Sequence, residues 1–327
     1  MNSTLFFFLI SPRFLISVLL INFYIMEKRK IVCVYHRVDF DGVFSALLVN
    51  HYRGEHEIVN IGWNYGDSMP DLGEYDELYL VDISFPSEVM INLPKDKVVW
   101  IDHHRTALNS AKEFGYSDIP GLRREGTAGC ELTYEYFTGS QDDMPSVIRL
   151  LGRYDVWDKS GYYDWDSEIL PFQYGLRQEF GLKLEEILPH FFYLLNDESC
   201  ISDLIDLGYN ILKYQQGKWE SQVKNHAFPV TVAGKYKGIA MLTPEGGSMM
   251  FRSVMDEYDI YIPFNRRLND KGEQIYTLSM YAEAGRIDFA LGDYVKSFGL
   301  GGGGHPCACG TEITEEQFIN LIVNHVI

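Results

Sequence analysis

The chain has 327 residues, more than one domain usually holds, and its 46% hydrophobic and 23% charged content excludes a disordered or low-complexity protein. Acidic residues outnumber basic ones 46 to 28, and the formal net charge of −18 excludes long duplex nucleic acid as a partner unless a local basic groove offsets it. Five cysteines, at 33, 130, 200, 307 and 309, are odd in number and lack a disulfide-framework spacing, which points to a reducing, cytoplasmic compartment.

Leu5 to Ile25 is nearly all apolar, long enough for a membrane anchor, and the basic Lys28-Arg29-Lys30 behind it would leave the rest in the cytoplasm. No small-residue cleavage site precedes the first strand, which argues against a signal peptide. Met26-Glu27-Lys28-Arg29-Lys30 lies just ahead of that strand and reads as a natural start. Residues 1–26 are therefore set apart as a leader, either a mis-assigned start or an anchor.

Ile31 to Tyr35 is a short, β-branched apolar run that predicts a buried strand, and Val43 to Tyr52 repeats its apolar residues at helical spacing. Further strands are expected at His56 to Trp63, Glu77 to Asp82 and Lys97 to Ile101, with a short helix from Pro86 to Leu93. Such alternation predicts βαβ units and a parallel sheet covered on both faces. Thr127 to Phe137 and Pro145 to Tyr154 read as helices, as do Leu182 to Leu195 and Ile201 to Val223. From Phe228 onward Val230 to Val232, Gly238 to Leu242, Ile260 to Ile262 and Tyr276 to Tyr281 are strand-like, with helical patterns at Met249 to Glu257 and Glu315 to Val326. The expected fold class is α/β: a parallel-sheet domain over 27–165, a helical connector over 166–226 and a smaller α/β domain over 227–327.

Imidazoles and carboxylates gather at the strand ends. His36, Asp39 and Asp41 follow the first strand, Asp82 closes the third, Asp102, His103 and His104 follow the fourth, and Asp155 ends a helix. Ligands of an open parallel sheet collect beyond the carboxyl ends of its strands, so these residues are expected in one pocket. An oxygen-rich set with imidazole and no clustered thiolate pair suits Mn²⁺ better than a closed structural zinc site. Cys307 and Cys309, without a second cysteine pair, read as small packing residues.

His36-x-x-Asp39-x-Asp41-Gly42, Asp82, Asp102-His103-His104 and Asp155, in that order, resemble the four motifs of the DHH phosphoesterase family. Gly301-Gly302-Gly303-Gly304-His305-Pro306-Cys307-Ala308-Cys309-Gly310 resembles the GGGH motif of the first type of DHH-associated C-terminal domain. Taken singly each residue has a plainer reading. Asp82 alone is a turn or cap residue, His36 a local hydrogen-bonder, Asp155 a helix cap and the glycine run a flexible loop. Their joint order over residues 30–312 is what favours the family.

The resemblance implies two Mn²⁺ ions, with Mg²⁺ or Co²⁺ as substitutes. His36 and Asp39 would hold one, Asp41, His103 and Asp155 the other, with Asp82 shared and a bridging hydroxide attacking phosphorus. It implies that His104 faces the substrate as hydrogen-bond or proton donor while Asp102 orients a histidine ring. Gly302, Gly303, Gly304 and His305 would hold phosphate in a cleft between the domains, with Arg286 and Arg252 as further phosphate contacts whose plainer reading is surface ion pairing.

The C-terminal motif is similar to that of family enzymes acting on nucleotides, whereas the pyrophosphatase and exopolyphosphatase branch carries a different second domain. The expected activity is hydrolysis of phosphoester bonds in short oligonucleotides or linear or cyclic dinucleotides. A phosphatase of adenosine bisphosphate-type nucleotides and an inactive nucleotide-binding sensor are the alternatives. The sensor would be signalled by loss of a ligand or of His104, and neither is lost. His36-Arg37-Val38-Asp39 is one residue shorter than the same motif in some branches, which leaves the branch open, and the sequence also leaves open a homodimer.

Overall fold

Ile31, Val32, Cys33, Val34 and Tyr35 are all buried, the pattern of a strand covered on both faces. In the computed structural model they form the middle of β1 (Lys30–His36), followed by α1 (Phe40–Arg53), β2 (Glu57–Trp63), β3 (Glu77–Val81), α2 (Ser87–Met90) and β4 (Val98–Ile101). The structure describes residues 28–244, 247–269, 272–297 and 303–323; the leader over 1–26 and Gly302 lie outside the described residues. Among the described residues no helix is long and apolar enough to cross a membrane.

The four strands form a parallel sheet in the order β2-β1-β3-β4, each within one residue of its expected bounds. Alternation at period two sends Ile31, Cys33 and Tyr35 into one core with Phe44, Leu47 and Leu48 of α1. Val32 and Val34 face a second core with Leu78, Leu80, Met90 and Trp100. Both faces of the central strands β1 and β3 are therefore covered, and the polar residues of interest lie at their carboxyl ends.

Beyond the sheet come α3 (Arg105–Phe114), α4 (Gly129–Thr138) and α5 (Ser146–Asp155). A π-helical turn at Trp165–Ile169 then runs into α6 (Leu170–Phe180), α7 (Leu184–Ile187), α8 (Phe191–Asn196) and α9 (Glu198–His226). The chain divides into two units at Tyr209 and Asn210, inside α9.

The second unit holds β5 (Phe228–Val232), β6 (Tyr236–Leu242), β7 (Ile260–Leu268), β8 (Gln274–Tyr281), α10 (Leu291–Ser297), β9 (Gly303–His305), β10 (Ala308–Thr314) and α11 (Glu315–Val323). Its sheet has the order β5-β6-β7-β8-β10-β9 and is antiparallel except between β6 and β7. Three local expectations change. The helix read over Leu182 to Leu195 is interrupted by a 3₁₀ turn at Leu188–His190, where Pro189 cannot continue the α-helical bonding. The helical reading of Met249 to Glu257 gives way to a 3₁₀ helix at Ser248–Val254, in which only Met250 and Phe251 are buried, too few to anchor an α-helical face. Part of the glycine run expected as a loop is a strand, because Gly303, Gly304 and His305 pair with Gly310, Cys309 and Ala308.

Candidate metal centre

Register alone brings three strand ends together. Tyr35 pairs with Val81 and Val81 with Ile101, so the next residues, His36, Asp82 and Asp102, leave neighbouring strands side by side. The strand order reverses between β1 and β3, which opens the crevice at that switch point. The turn out of β1 is very tight, since a Cβ on Gly42 would lie 2.0 Å from the His36 carbonyl oxygen. Only glycine lets α1 start that close to the strand it follows. Asp39 caps this helix, its Oδ1 accepting from Gly42 N at 3.0 Å, and Asp41 lies buried in the first turn. Asp82 adopts φ 58°, a left-handed conformation that costs a non-glycine residue strain, and its N–H is pinned to the Ile101 carbonyl at 2.8 Å.

Around Asp82 the predicted residues converge. His103 Nε2 lies 3.1 Å from Asp82 Oδ1, 3.3 Å from Asp155 Oδ2 and 3.5 Å from Asp41 Oδ2. His36 Nδ1 lies 3.0 Å from Asp39 Oδ2 and 3.5 Å from Asp82 Oδ2. Three groupings each keep their donor atoms within 4.8 Å of one another: His36, Asp39 and Asp82; Asp41, His103 and Asp155; Asp82, His103 and His104. Asp82 belongs to the first and the last, and its Oδ1 contact with His103 links the second.

This cluster is chemically incomplete in a way that cations would complete. His36 Nδ1 and Asp82 Oδ1 are buried without a geometrically sound hydrogen bond. Burial and then the neighbouring Asp41 carboxylate push the Asp82 carboxyl well above the usual range, and burial with Asp41 and Asp82 does the same to Asp155. Burial by itself would lower the His36 imidazole, yet the Asp39 and Asp82 carboxylates carry it up to about 10. Crowded, dehydrated carboxylates and an imidazole that must borrow a proton fit a site for divalent cations.

A proton count follows. Because His36 holds its proton through neutral pH in the metal-free protein, Mn²⁺ binding should release about one proton or more near neutrality. Calorimetry in two buffers of different ionisation enthalpy reads this directly, and uptake or no net release would contradict it. The same sign governs metal-free stability. The folded value lies above the unfolded value of about 6.5, so the contribution is full below that and is lost as pH rises through about 10.

His104 is turned differently. Its Nδ1 lies 2.8 Å from Asp102 Oδ1 and 3.8 Å from Asp82 Oδ1, and its backbone N–H also donates to Asp102 Oδ1. Asp102 is fully buried, with its other oxygen accepting from Trp100 Nε1 at 3.1 Å. The ring is thus clamped through Nδ1, leaving Nε2 for another partner. Burial opposes protonation of His104, but the Asp102 hydrogen bond and the Asp82 charge raise its pKa.

Several supporting groups were not read from sequence. Asn64, the residue after β2, places Oδ1 3.1 Å from His36 Nε2, which fixes the ring so that Nδ1 faces the carboxylates. The strand-end rule applied to β1, β3 and β4 would have found it. Asn64→Ala should weaken Mn²⁺ binding about 10- to 100-fold, as loss of a ligand-orienting partner does, read by equilibrium dialysis. Gly129 N and Cys130 N, at the start of α4, donate to the two oxygens of Asp41 at 2.7 Å each. A Cβ on Gly129 would meet Asp82 Cβ at 2.7 Å and Asp41 Oδ2 at 3.0 Å, so glycine is the residue that lets α4 abut both carboxylates. Glu131 accepts from Ala128 N and from Arg153, which joins α4 to the end of α5 that carries Asp155. Tyr65, half-exposed, sets its ring edge-on to His36 and His104 and takes a hydrogen bond from Ser84 N.

The remaining expected site residues belong to the second unit. Gly303, Gly304 and His305 form β9, the edge of its sheet; Arg286, 3.9 Å from Glu283 Oε2, lies between β8 and α10; Arg252 lies in the 3₁₀ helix.

Residues 30–151 match the DHH family, N-terminal domain. No curated protein matches the chain in sequence. Similar solved folds include a DHH domain described as belonging to a family of ribosomal proteins, 15% identical over 96% of this chain and 89% of that one, TM-score 0.59. The pGpG-specific phosphodiesterase PggH from Vibrio cholerae is 12% identical over 91% and 97% of the two chains, TM-score 0.57. RecJ in complex with Mn²⁺ from Thermus thermophilus is 13% identical over 94% of this chain and 53% of that one, TM-score 0.50.

Proposed function

We propose that this protein is a metal-dependent phosphoesterase that hydrolyses phosphoester bonds in short oligonucleotides or linear or cyclic dinucleotides. The observation that carries the reading is the shared position of buried Asp82, grouped with His36 and Asp39 on one side and with His103 and His104 on the other. The DHH match over 30–151 and the fold likeness to a pGpG-specific phosphodiesterase and to a Mn²⁺-bound RecJ support it.

In this reading His36 and Asp39 would hold one dication and Asp41, His103 and Asp155 the other, with Asp82 available to both. Two bound dications would acidify a water held between them and draw charge from the phosphoryl oxygens, and Mn²⁺ suits ligands of mixed oxygen and imidazole character. The chain's own groups do the rest. The α4 amides fix the Asp41 carboxylate, Asn64 orients the His36 ring through Nε2, and Asp102 holds His104 through Nδ1. Protonated at Nε2, His104 donates to a phosphoryl oxygen as negative charge builds there. Gly303, Gly304 and His305, with Gly302 and Arg286, are assigned to phosphate binding. Among the described residues β9 is the edge strand of its sheet, and its glycines leave the backbone open to close approach. The working compartment in this proposal is the cytoplasm.

The test is incubation of the purified chain with Mn²⁺ or Mg²⁺ and di- to pentanucleotides, linear and cyclic dinucleotides, adenosine bisphosphate and pyrophosphate. Turnover of the short oligonucleotides or dinucleotides is expected. Preference for adenosine bisphosphate would select the phosphatase alternative, and metal binding without any turnover would leave the sensor.

A further inference from the structure

We propose that the indole of Trp157 is a stacking platform for a nucleobase of the substrate, a reading that rests on the phosphoester chemistry proposed for the metal centre beside it. The first observation is backbone. Helix α5 ends with Trp157 N donating to Tyr154 O at 3.1 Å and Asp158 N to Arg153 O at 2.9 Å, a closing motif whose penultimate position normally takes glycine in the left-handed conformation. Helices α3 and α4 end on such glycines, Gly115 at φ 78° and Gly139 at φ 79°. At the end of α5 a tryptophan adopts φ 54° instead, a conformation that bulky side chains rarely take. Strain of this kind persists where the surroundings over-determine it and the side chain has work to do.

The surroundings do over-determine it. Asp158 accepts from Arg153 Nη1 at 2.8 Å, and Arg153 is gripped through its other terminal nitrogen by buried Glu131. Packing alone is a poor reason for a large ring here, since Trp157 stays 48% exposed. What the ring joins is an aromatic group: its centroid is 4.6 Å from that of Trp165, which stacks on Tyr154 at an interplanar angle of 7°. Lys159 holds its ammonium 5.6 Å over Trp157 and 5.3 Å over Trp165, so one face of the indole carries a positive charge in a chain of net charge −18. Flat ring plus adjacent cation is the pairing that a base with its flanking phosphate recognises.

Position links the platform to the chemistry. Asp155, whose Oδ2 lies 3.3 Å from His103 Nε2, precedes Trp157 by two residues, a backbone reach of at most about 7 Å. A base stacked there marks the substrate class as nucleotides, and sets it apart from pyrophosphate and polyphosphate, which have nothing to stack.

The test is calorimetric binding of adenosine monophosphate and of ribose 5-phosphate to the full chain, with Trp157→Gly and Trp157→Phe beside it. Glycine suits the left-handed backbone, which offsets part of the ring packing lost against Trp165 and Tyr154, so Trp157→Gly should stay folded, as thermal melting beside the parent reads. It should bind adenosine monophosphate about 5- to 100-fold more weakly while leaving the weaker binding of ribose 5-phosphate unchanged, with Trp157→Phe in between. Equal loss for both ligands, an unchanged affinity for adenosine monophosphate, or no binding of it by the parent would overturn the proposal. Because turnover is not read, a chain that hydrolyses nothing yet shows this pattern refutes the phosphoesterase reading and keeps the platform. Turnover with binding indifferent to Trp157 does the reverse.

Discussion

Asp82→Asn should abolish turnover, lowering kcat by at least about 10³-fold, while the metal-free protein folds as well as the parent or better. The asparagine keeps the shape and is among the few residues that tolerate φ near the 58° found here. Removing the ionisable carboxyl also relieves the burial and the repulsion from Asp41 and Asp39 that push Asp82 upward. Metal occupancy should move the other way, because in the proposed arrangement both dications would lose the carboxylate they share. Thermal melting in chelator together with metal analysis after Mn²⁺ loading reads both effects. A variant that retains metal and activity would show that Asp82 is only a turn residue, and one that unfolds in chelator would show that the charge is structural.

The second large effect is expected at His104. Because its Nδ1 is engaged by Asp102 at 2.8 Å and stands 3.8 Å from Asp82, replacing it with alanine should remove a donor and spare the metals. His104→Ala is predicted to lower kcat by about 10² to 10⁴-fold, the usual contribution of a positioned proton donor, with metal content unchanged. Asp102→Ala should cost less, and the double variant should be no worse than His104→Ala, since Asp102 acts through the imidazole it holds. Loss of bound metal in His104→Ala would instead make this histidine a ligand, as its grouping with Asp82 and His103 permits. Additive losses in the double variant would mean that Asp102 acts independently.

The first unit was legible because its signals are local and periodic. Ile31 to Tyr35, Leu78 to Val81 and Val98 to Ile101 are runs that burial on both faces demands, and each delivers its polar residue at the strand end where the sheet reverses order. What supports those residues was hidden, because it depends on contacts between distant segments. Nothing near Thr127-Ala128-Gly129-Cys130 announces that two amides will grip Asp41, which lies 89 residues before Cys130. Trp157 was similarly unreadable, since its meaning lies in a backbone torsion that sequence pattern does not encode. In the second unit Gly303 and Gly304 look like loop residues on composition, and only the free edge of β10 makes them a strand.

The most direct test of the account is anomalous scattering at the manganese edge from crystals of the protein grown with Mn²⁺. Two peaks about 3.5–4 Å apart are predicted, with the Asp82 carboxylate between them, His36 and Asp39 on one ion and Asp41, His103 and Asp155 on the other. A single peak, peaks remote from Asp82, or no manganese at these side chains would contradict it.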